Sequence, residues 1–183
     1  MKKFNACADQ YRPSILNVGI LAIILFITTL FASPHVKAAT MSGSYHMIAN
    51  GRSYHIESPP AGKTFNENNF GTGFQYEMSR SYGSKWVPFV TSSAFNDSFN
   101  NLSYYVGAGE ARRFFIKDSW HIDVGYFGFF MARKDYDDYK PFPGVLPVAS
   151  VGTRNVSLNM TYIPDVGDQV AELVFFQLKI SLE

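Results

Sequence analysis

The sequence predicts an all-β protein: an eight-stranded antiparallel transmembrane β-barrel in a bacterial outer membrane. Three observations carry this. After the first 39 residues the chain is rich in Tyr, Phe, Gly, Ser and Asn, and no stretch sets apolar residues at helical spacing between caps. Short runs with β-branched or aromatic residues recur between turn-forming clusters. Several of these runs are apolar or small on both faces, where a soluble barrel alternates apolar with polar.

Residues 1–39 read as a signal peptide. Lys2, Lys3 and Arg12 make a basic start, Ile15 to Phe31 is almost wholly apolar, and Val36-Lys37-Ala38-Ala39 ends the segment on small residues. A retained membrane anchor is the alternative, because the apolar run approaches the ~17–25 residues of a spanning helix. Cleavage removes Cys7, the one cysteine, so residues 40–183 offer no thiolate or disulfide. That remainder is 144 residues, a single outer-membrane β-barrel domain. It carries 12 Lys and Arg against 14 Asp and Glu, a net charge of −2 with no basic stripe, which disfavours nucleic acid as a partner.

In chain order the strands are expected at about Ser53–Ser58, Phe70–Arg80, Trp86–Phe95, Leu102–Phe114, Trp120–Arg133, Val145–Gly152, Asn155–Ile163 and Val170–Leu182. The segment from Thr40 to Arg52 shows no clear pattern and includes the turn-like Asn50-Gly51. Ser81-Tyr82-Gly83-Ser84, Lys117-Asp118-Ser119 and Thr153-Arg154 form tight turns, whereas Pro59–Asn69, Asn96–Asn101 and Lys134–Gly144 are longer. Turns and loops alternate, as they do when one barrel end carries turns and the other loops. Closing eight strands leaves no exposed edge, and the interior just fits side chains or one slender ligand.

The strand Leu102–Phe114 runs Tyr104, Val106, Ala108 on one parity and Tyr105, Gly107, Gly109, Ala111 on the other. Trp120–Arg133 is apolar on both parities as well. This pattern predicts a lumen lined at mid-height by glycines and apolar groups. Such a lumen fits an acyl chain better than a column of water, with Gly107 and Gly109 as the expected pocket glycines. The other reading is that these glycines relieve crowding where strands coil in a narrow barrel.

Three histidines follow the signal: His46, His55 and His121. His55 ends the first expected strand, and Asp97-Ser98 ends the third. Both strands run towards long loops, so the three residues are expected at one barrel end. A His beside a hydroxyl has the parts for acyl transfer, since the imidazole can take the hydroxyl proton. Asp-Ser is also ordinary turn material, and Asp118-Ser119 before His121 is a second such pair at the opposite end.

At these residues the chain resembles the PagP family, lipid A palmitoyltransferases of Gram-negative outer membranes. The strongest likeness is the run Pro141-Phe142-Pro143-Gly144-Val145-Leu146-Pro147-Val148-Ala149-Ser150-Val151-Gly152, followed by Asn159-Met160-Thr161-Tyr162-Ile163-Pro164. Weaker likeness covers Tyr54-His55, Phe70–Phe74, Ala94–Ser98, Ala108-Gly109 and Met131–Arg133, in the family's order. The resemblance implies catalytic roles for His55, Asp97 and Ser98, and an acyl-pocket floor at Gly109. It implies a lipid headgroup contact at Arg133 and a lateral gate at Pro164. It further implies a monomer that moves an acyl chain from a phospholipid donor to lipid A, without metal or cofactor. A PagP-like barrel that binds lipid or a partner without catalysis is the alternative. Departures from the family are the absence of an amphipathic helix pattern in Thr40–Arg52 and the loop residues Phe99, Asn100 and Asn101 after Ser98.

Overall fold

Alternation is the rule that builds this molecule. In strand after strand, every second side chain is buried and its neighbours are exposed. The computed structural model describes residues 43–59, 62, 64–79, 84–117, 119–165 and 171–182; the expected signal peptide lies outside the described residues. The strands are β1 (Gly43–His55), β2 (Asn68–Met78), β3 (Trp86–Asn96), β4 (Leu102–Lys117), β5 (Trp120–Ala132), β6 (Phe142–Gly152), β7 (Val156–Ile163) and β8 (Leu173–Ser181). Each pairs antiparallel with the next, and β1 pairs with β8, so the sheet closes.

The first strand begins well before the expected Ser53. Tyr45, Met47 and Ala49 point outward while His46, Ile48 and Asn50 are buried, so the segment read as patternless is a strand with a mixed inner face. Asn50-Gly51 is not a turn but the start of a β-bulge: Gly51 and Arg52 together span the gap between Asn50↔Gln177 and Ser53↔Phe175 in the ladder to β8. The bulge switches the inward parity from even to odd. Strict alternation from His46 would aim His55 at lipid; the bulge aims it into the lumen, where it is buried. β6 begins at Phe142 rather than Val145, so Pro143 as well as Pro147 lies within it.

The outer surface is a lipid surface. Phe70, Phe74, Val106, Val124, Phe130 and Val145 are all more than half exposed, and Val145 reaches 71%. Trp86, Phe114 and Trp120 lie towards the turn end, and Tyr54, Phe70 and Tyr104 towards the loop end, as interfacial aromatic girdles do.

The inner surface differs from the sequence expectation. β4 and β5 do supply the apolar stretch, with Phe89 of β3, Ala111 and Phe127 forming a buried core cluster. The other strands bury Asn50, Gln75, Glu77, Thr91, Ser93, Asn159, Thr161, Gln177 and Lys179. The apolar lining read from β4 and β5 therefore covers only part of the lumen. At the turn end, Arg113 donates to Asp123 at 2.8 and 2.9 Å and to Glu77 at 3.0 Å, and Lys179 also pairs with Glu77. His46 and His121 flank this group, at 3.8 Å from Glu77 and 3.5 Å from Asp123. Ion pairs drawn from four strands thus bar the lumen below the aromatic cluster.

Candidate active site

β1 and β3 both end at the loop end of the barrel, and the chain past each is stitched to the other. Asn66 donates its backbone N–H to the Ser98 carbonyl at 2.8 Å and its side-chain amide to the Asp97 carbonyl at 3.1 Å. Asn69 donates to the Asn96 carbonyl at 2.9 Å. These bonds bring the loop after β1 against the turn after β3. They carry His55 to Ser98: the imidazole Nε2 and the serine Oγ lie 2.9 Å apart. Phe65 stacks flat on the imidazole, with centroids 3.9 Å apart and planes 13° from parallel, and Phe99 is tilted against Phe65 at 6.0 Å. The ring is thereby held with Nε2 on the hydroxyl. Its Nδ1 is buried and has no hydrogen-bond partner among the described residues.

Asp97 is beside this pair but engaged elsewhere. One carboxylate oxygen accepts the Phe99 and Asn101 backbone N–H groups at 2.8 and 2.9 Å, and the other accepts the Ser103 hydroxyl at 3.0 Å. The turn is closed further by the Asp97 N–H donating to the Asn101 carbonyl at 2.8 Å, with Asn100 at φ 61°, a left-handed conformation that asparagine tolerates better than most residues. Asp97 is 3% exposed. The partners of its carboxylate all belong to the turn that presents Ser98 and to the start of β4.

Below the pair, a slot opens through the barrel wall. β6 pairs with β7 only from Val148↔Thr161 to Gly152↔Ser157, although β6 stays paired with β5 up to Phe142 and β7 with β8 up to Ile163. The loop-end half of the β6–β7 seam is unzipped. Pro143 and Pro147 have no N–H to donate across it. A cavity of about 380 Å³ occupies this seam, lined by inward Phe129, Leu146, Ile163 and Leu173 and by outward Pro143, Val145 and Pro164. It therefore communicates between the lumen and the lipid-facing surface. Arg133 also lines it, with its guanidinium 2.6 and 2.9 Å from the Asp135 carboxylate.

Gly107 and Gly109 face the lumen on β4. A β-carbon at Gly109 would meet the Tyr126 carbonyl and sit 2.6 Å from Phe127 Cβ; at Gly107 it would sit 2.9 Å from Phe129 Cβ. Both glycines therefore let β4 and β5 approach closely. In the decoy pair, Asp118 lies outside the described residues, and Ser119 lines a vestibule at the turn end, away from His55.

The structure also supplies neighbours that the sequence reading missed. Phe65, Asn66 and Ser103 orient the pair without belonging to any motif. Arg113 and Asp123 had a usable signal, since each falls on the inward parity of a strand whose middle is apolar or small; Glu77 and Lys179 follow Gln75 and Gln177 on faces that are already polar.

An apolar band outside, polar groups within and closure over eight strands define an outer-membrane β-barrel, with a His–Ser pair at its loop-end rim. The chain belongs to the PagP family: the family described as "Antimicrobial peptide resistance and lipid A acylation protein PagP" matches residues 36–179. It is 32% identical over 118 residues to the Lipid A acyltransferase PagP of Methylobacillus flagellatus, covering 64% of this chain and 62% of that one. It is 28% identical over 174 residues to the protein of the same name from Enterobacter lignolyticus, covering 81% and 90%. Among solved structures, Ail of Yersinia pestis aligns with a TM-score of 0.43 at 12% identity, over 76% of this chain and 95% of that one.

Proposed function

We propose that this protein transfers a fatty acyl chain from a glycerophospholipid to lipid A, as a monomer in the outer membrane after removal of residues 1–39. The observation that carries the reading is the His55–Ser98 contact at 2.9 Å, set at the rim above a slot that opens to lipid. The names of the relatives, lipid A acyltransferases, support the same acceptor. Long loops face the cell exterior in such barrels, which puts the pair in the leaflet where lipid A resides.

The chemistry follows from the groups present. A donor tail slides sideways through the β6–β7 seam beneath Pro164 and lies in the slot, with its ester at the rim near Arg133. The imidazole Nε2 takes the proton of the attacking hydroxyl as the oxygen bonds to the ester carbonyl carbon. The same proton passes to the departing lysophospholipid oxygen as the ester C–O bond breaks. Asp97 supports this by holding the turn that presents Ser98. The attacking hydroxyl is either that of Ser98, giving an acyl-serine that lipid A then relieves, or that of lipid A itself, oriented by Ser98.

The test is reconstitution of the purified chain with phosphatidylcholine of defined acyl composition and lipid A. Mass spectrometry should find acylated lipid A and lysophospholipid in equal amounts, and a trapped mass increment on Ser98 would select the covalent route. Lipid bound without any transfer would refute the proposal and leave a binding protein. Sequencing the N-terminus of membrane-purified protein should give a start at Ala39 or Thr40; a start near Met1 removes the cleavage claim.

A further inference from the structure

The lumen between the His55–Ser98 pair and Gly109 is not open. β4 and β8 are four places apart in a closed ring of eight strands and so stand opposite one another. Tyr105 of β4 nevertheless meets Gln177 of β8: the amide Nε2 donates to the Tyr105 hydroxyl at 3.2 Å. The phenol ring therefore crosses the lumen. The same Gln177 amide donates to Asn50 Oδ1 at 2.6 Å, and Asn50 Nδ2 donates to Ser93 Oγ at 2.6 Å, which carries the bridge round through β1 to β3. Aromatic rings fill the remaining area, with Phe95, Phe127 and Phe129 centroids 6.0–6.4 Å from that of Tyr105.

Cavities lie on both sides of this layer. Phe129 and Leu146 line the wall slot of about 380 Å³ on the loop side. Tyr105, Phe89, Ala111 and Phe127 line a void of about 30 Å³ on the turn side, only large enough for about one water. We propose that Tyr105, tied to Gln177, is the floor of the acyl slot and sets the longest chain this protein accepts. The inference rests on the acyl-transfer reading above and moves the floor from Gly109 to Tyr105. These residues are four apart on β4, about 13 Å along the strand. With a barrel tilt of about 40°, that is a difference of about 10 Å in depth, or several methylenes.

The Tyr105 ring blocks the lumen by its bulk, while its hydroxyl fixes the ring's position. Shortening the side chain therefore joins the slot to the void beside Ala111, whereas removing the hydroxyl alone leaves the obstruction in place. Each methylene that gains a buried site tightens binding by about fourfold, and two by about fifteenfold.

The experiment measures binding and transfer separately. Lysophosphatidylcholines of increasing saturated chain length, kept below their aggregation concentrations, are titrated into the purified full chain by calorimetry. Wild-type affinity should rise about fourfold per methylene and then level off at the chain that touches the septum. Tyr105→Ala should level off at least two methylenes later, with about fifteenfold tighter binding of the longer chain; Tyr105→Phe should keep the wild-type limit. Tyr105→Leu serves the same comparison should the alanine variant fail to show the mobility of a folded barrel in unheated gels. An unchanged limit in a folded Ala or Leu variant overturns the proposal, as does a wild-type series that never levels off. The acyl-transfer reading fails separately: a shifted binding limit with no transfer of any donor chain leaves the septum standing and removes the reaction. Transfer with identical product chain lengths in wild type and variant removes the septum alone.

Discussion

Replacing Asp97 in two ways separates a charge role from a structural one. The carboxylate accepts three hydrogen bonds at 2.8, 2.9 and 3.0 Å, all from residues of its own turn and the start of β4. Asp97→Ala orphans the Phe99 and Asn101 N–H groups and the Ser103 hydroxyl. A hydrogen bond to a charged group is worth about 1.5–3 kcal/mol, and water at the rim recovers part of the loss, so the expected destabilisation is about 3 kcal/mol. The turn then no longer holds Ser98 against His55, and misplacement by about 1 Å costs on the order of 10²-fold in rate. Asp97→Asn keeps one carbonyl oxygen for the two N–H groups, and its amide can donate to a rotated Ser103 hydroxyl. It should lose about 1 kcal/mol and stay within about tenfold of wild-type transfer, since the loss is one hydrogen bond's strength. Denaturant unfolding of the refolded barrel and lipid A acylation rates, measured on the same preparations, check both numbers. If Asp97→Asn matches Asp97→Ala in rate while keeping wild-type stability, the negative charge itself acts on His55 and the turn argument is wrong.

Substituting His55 by Ala should reduce transfer by about 10²–10⁴-fold. Adding Ser98→Ala should make little further difference, because groups that act as a unit are not additive; near-multiplicative losses in product assays would deny the pairing. Gly109→Ala places a β-carbon 2.6 Å from Phe127 Cβ, so we expect about 1–3 kcal/mol of lost stability from overpacking, and unfolding midpoints equal to wild type would contradict this. Glu77→Ala strips the carboxylate shared by Lys179, Arg113 and His46 and should cost about 3–5 kcal/mol, since buried Lys179 loses its near partner and part-buried Arg113 one of its two. Acyl transfer per folded molecule should persist in that variant, because the cluster sits at the turn end; selective loss of rate without loss of stability would tie it to the reaction.

Much of this protein could be read from its residues in order. Strand number, the antiparallel meander and the alternation of turns with loops follow from local chemistry: β-branched and aromatic runs broken by Gly, Pro, Asn and Asp. Strand direction then places His55 and Asp97-Ser98 at the same end, since two strands that both run towards loops finish together. The outward apolar band follows too, because its residues need only lipid and no particular partner. What required the tertiary structure is the identity of the inner face. Inward and outward residues differ only by parity, and the bulge at Gly51-Arg52 changes parity within β1, so neither the burial of His55 nor the length of that strand follows from periodicity. Partner choice is equally non-local. Asp97 could have faced His55 but spends its oxygens on the turn, and Tyr105 looks like one more aromatic on β4 until closure sets β8 opposite it. Glu77, Arg113, Asp123 and Lys179 are separate charges in sequence; only a closed ring narrow enough to exclude most water forces them to pair with one another.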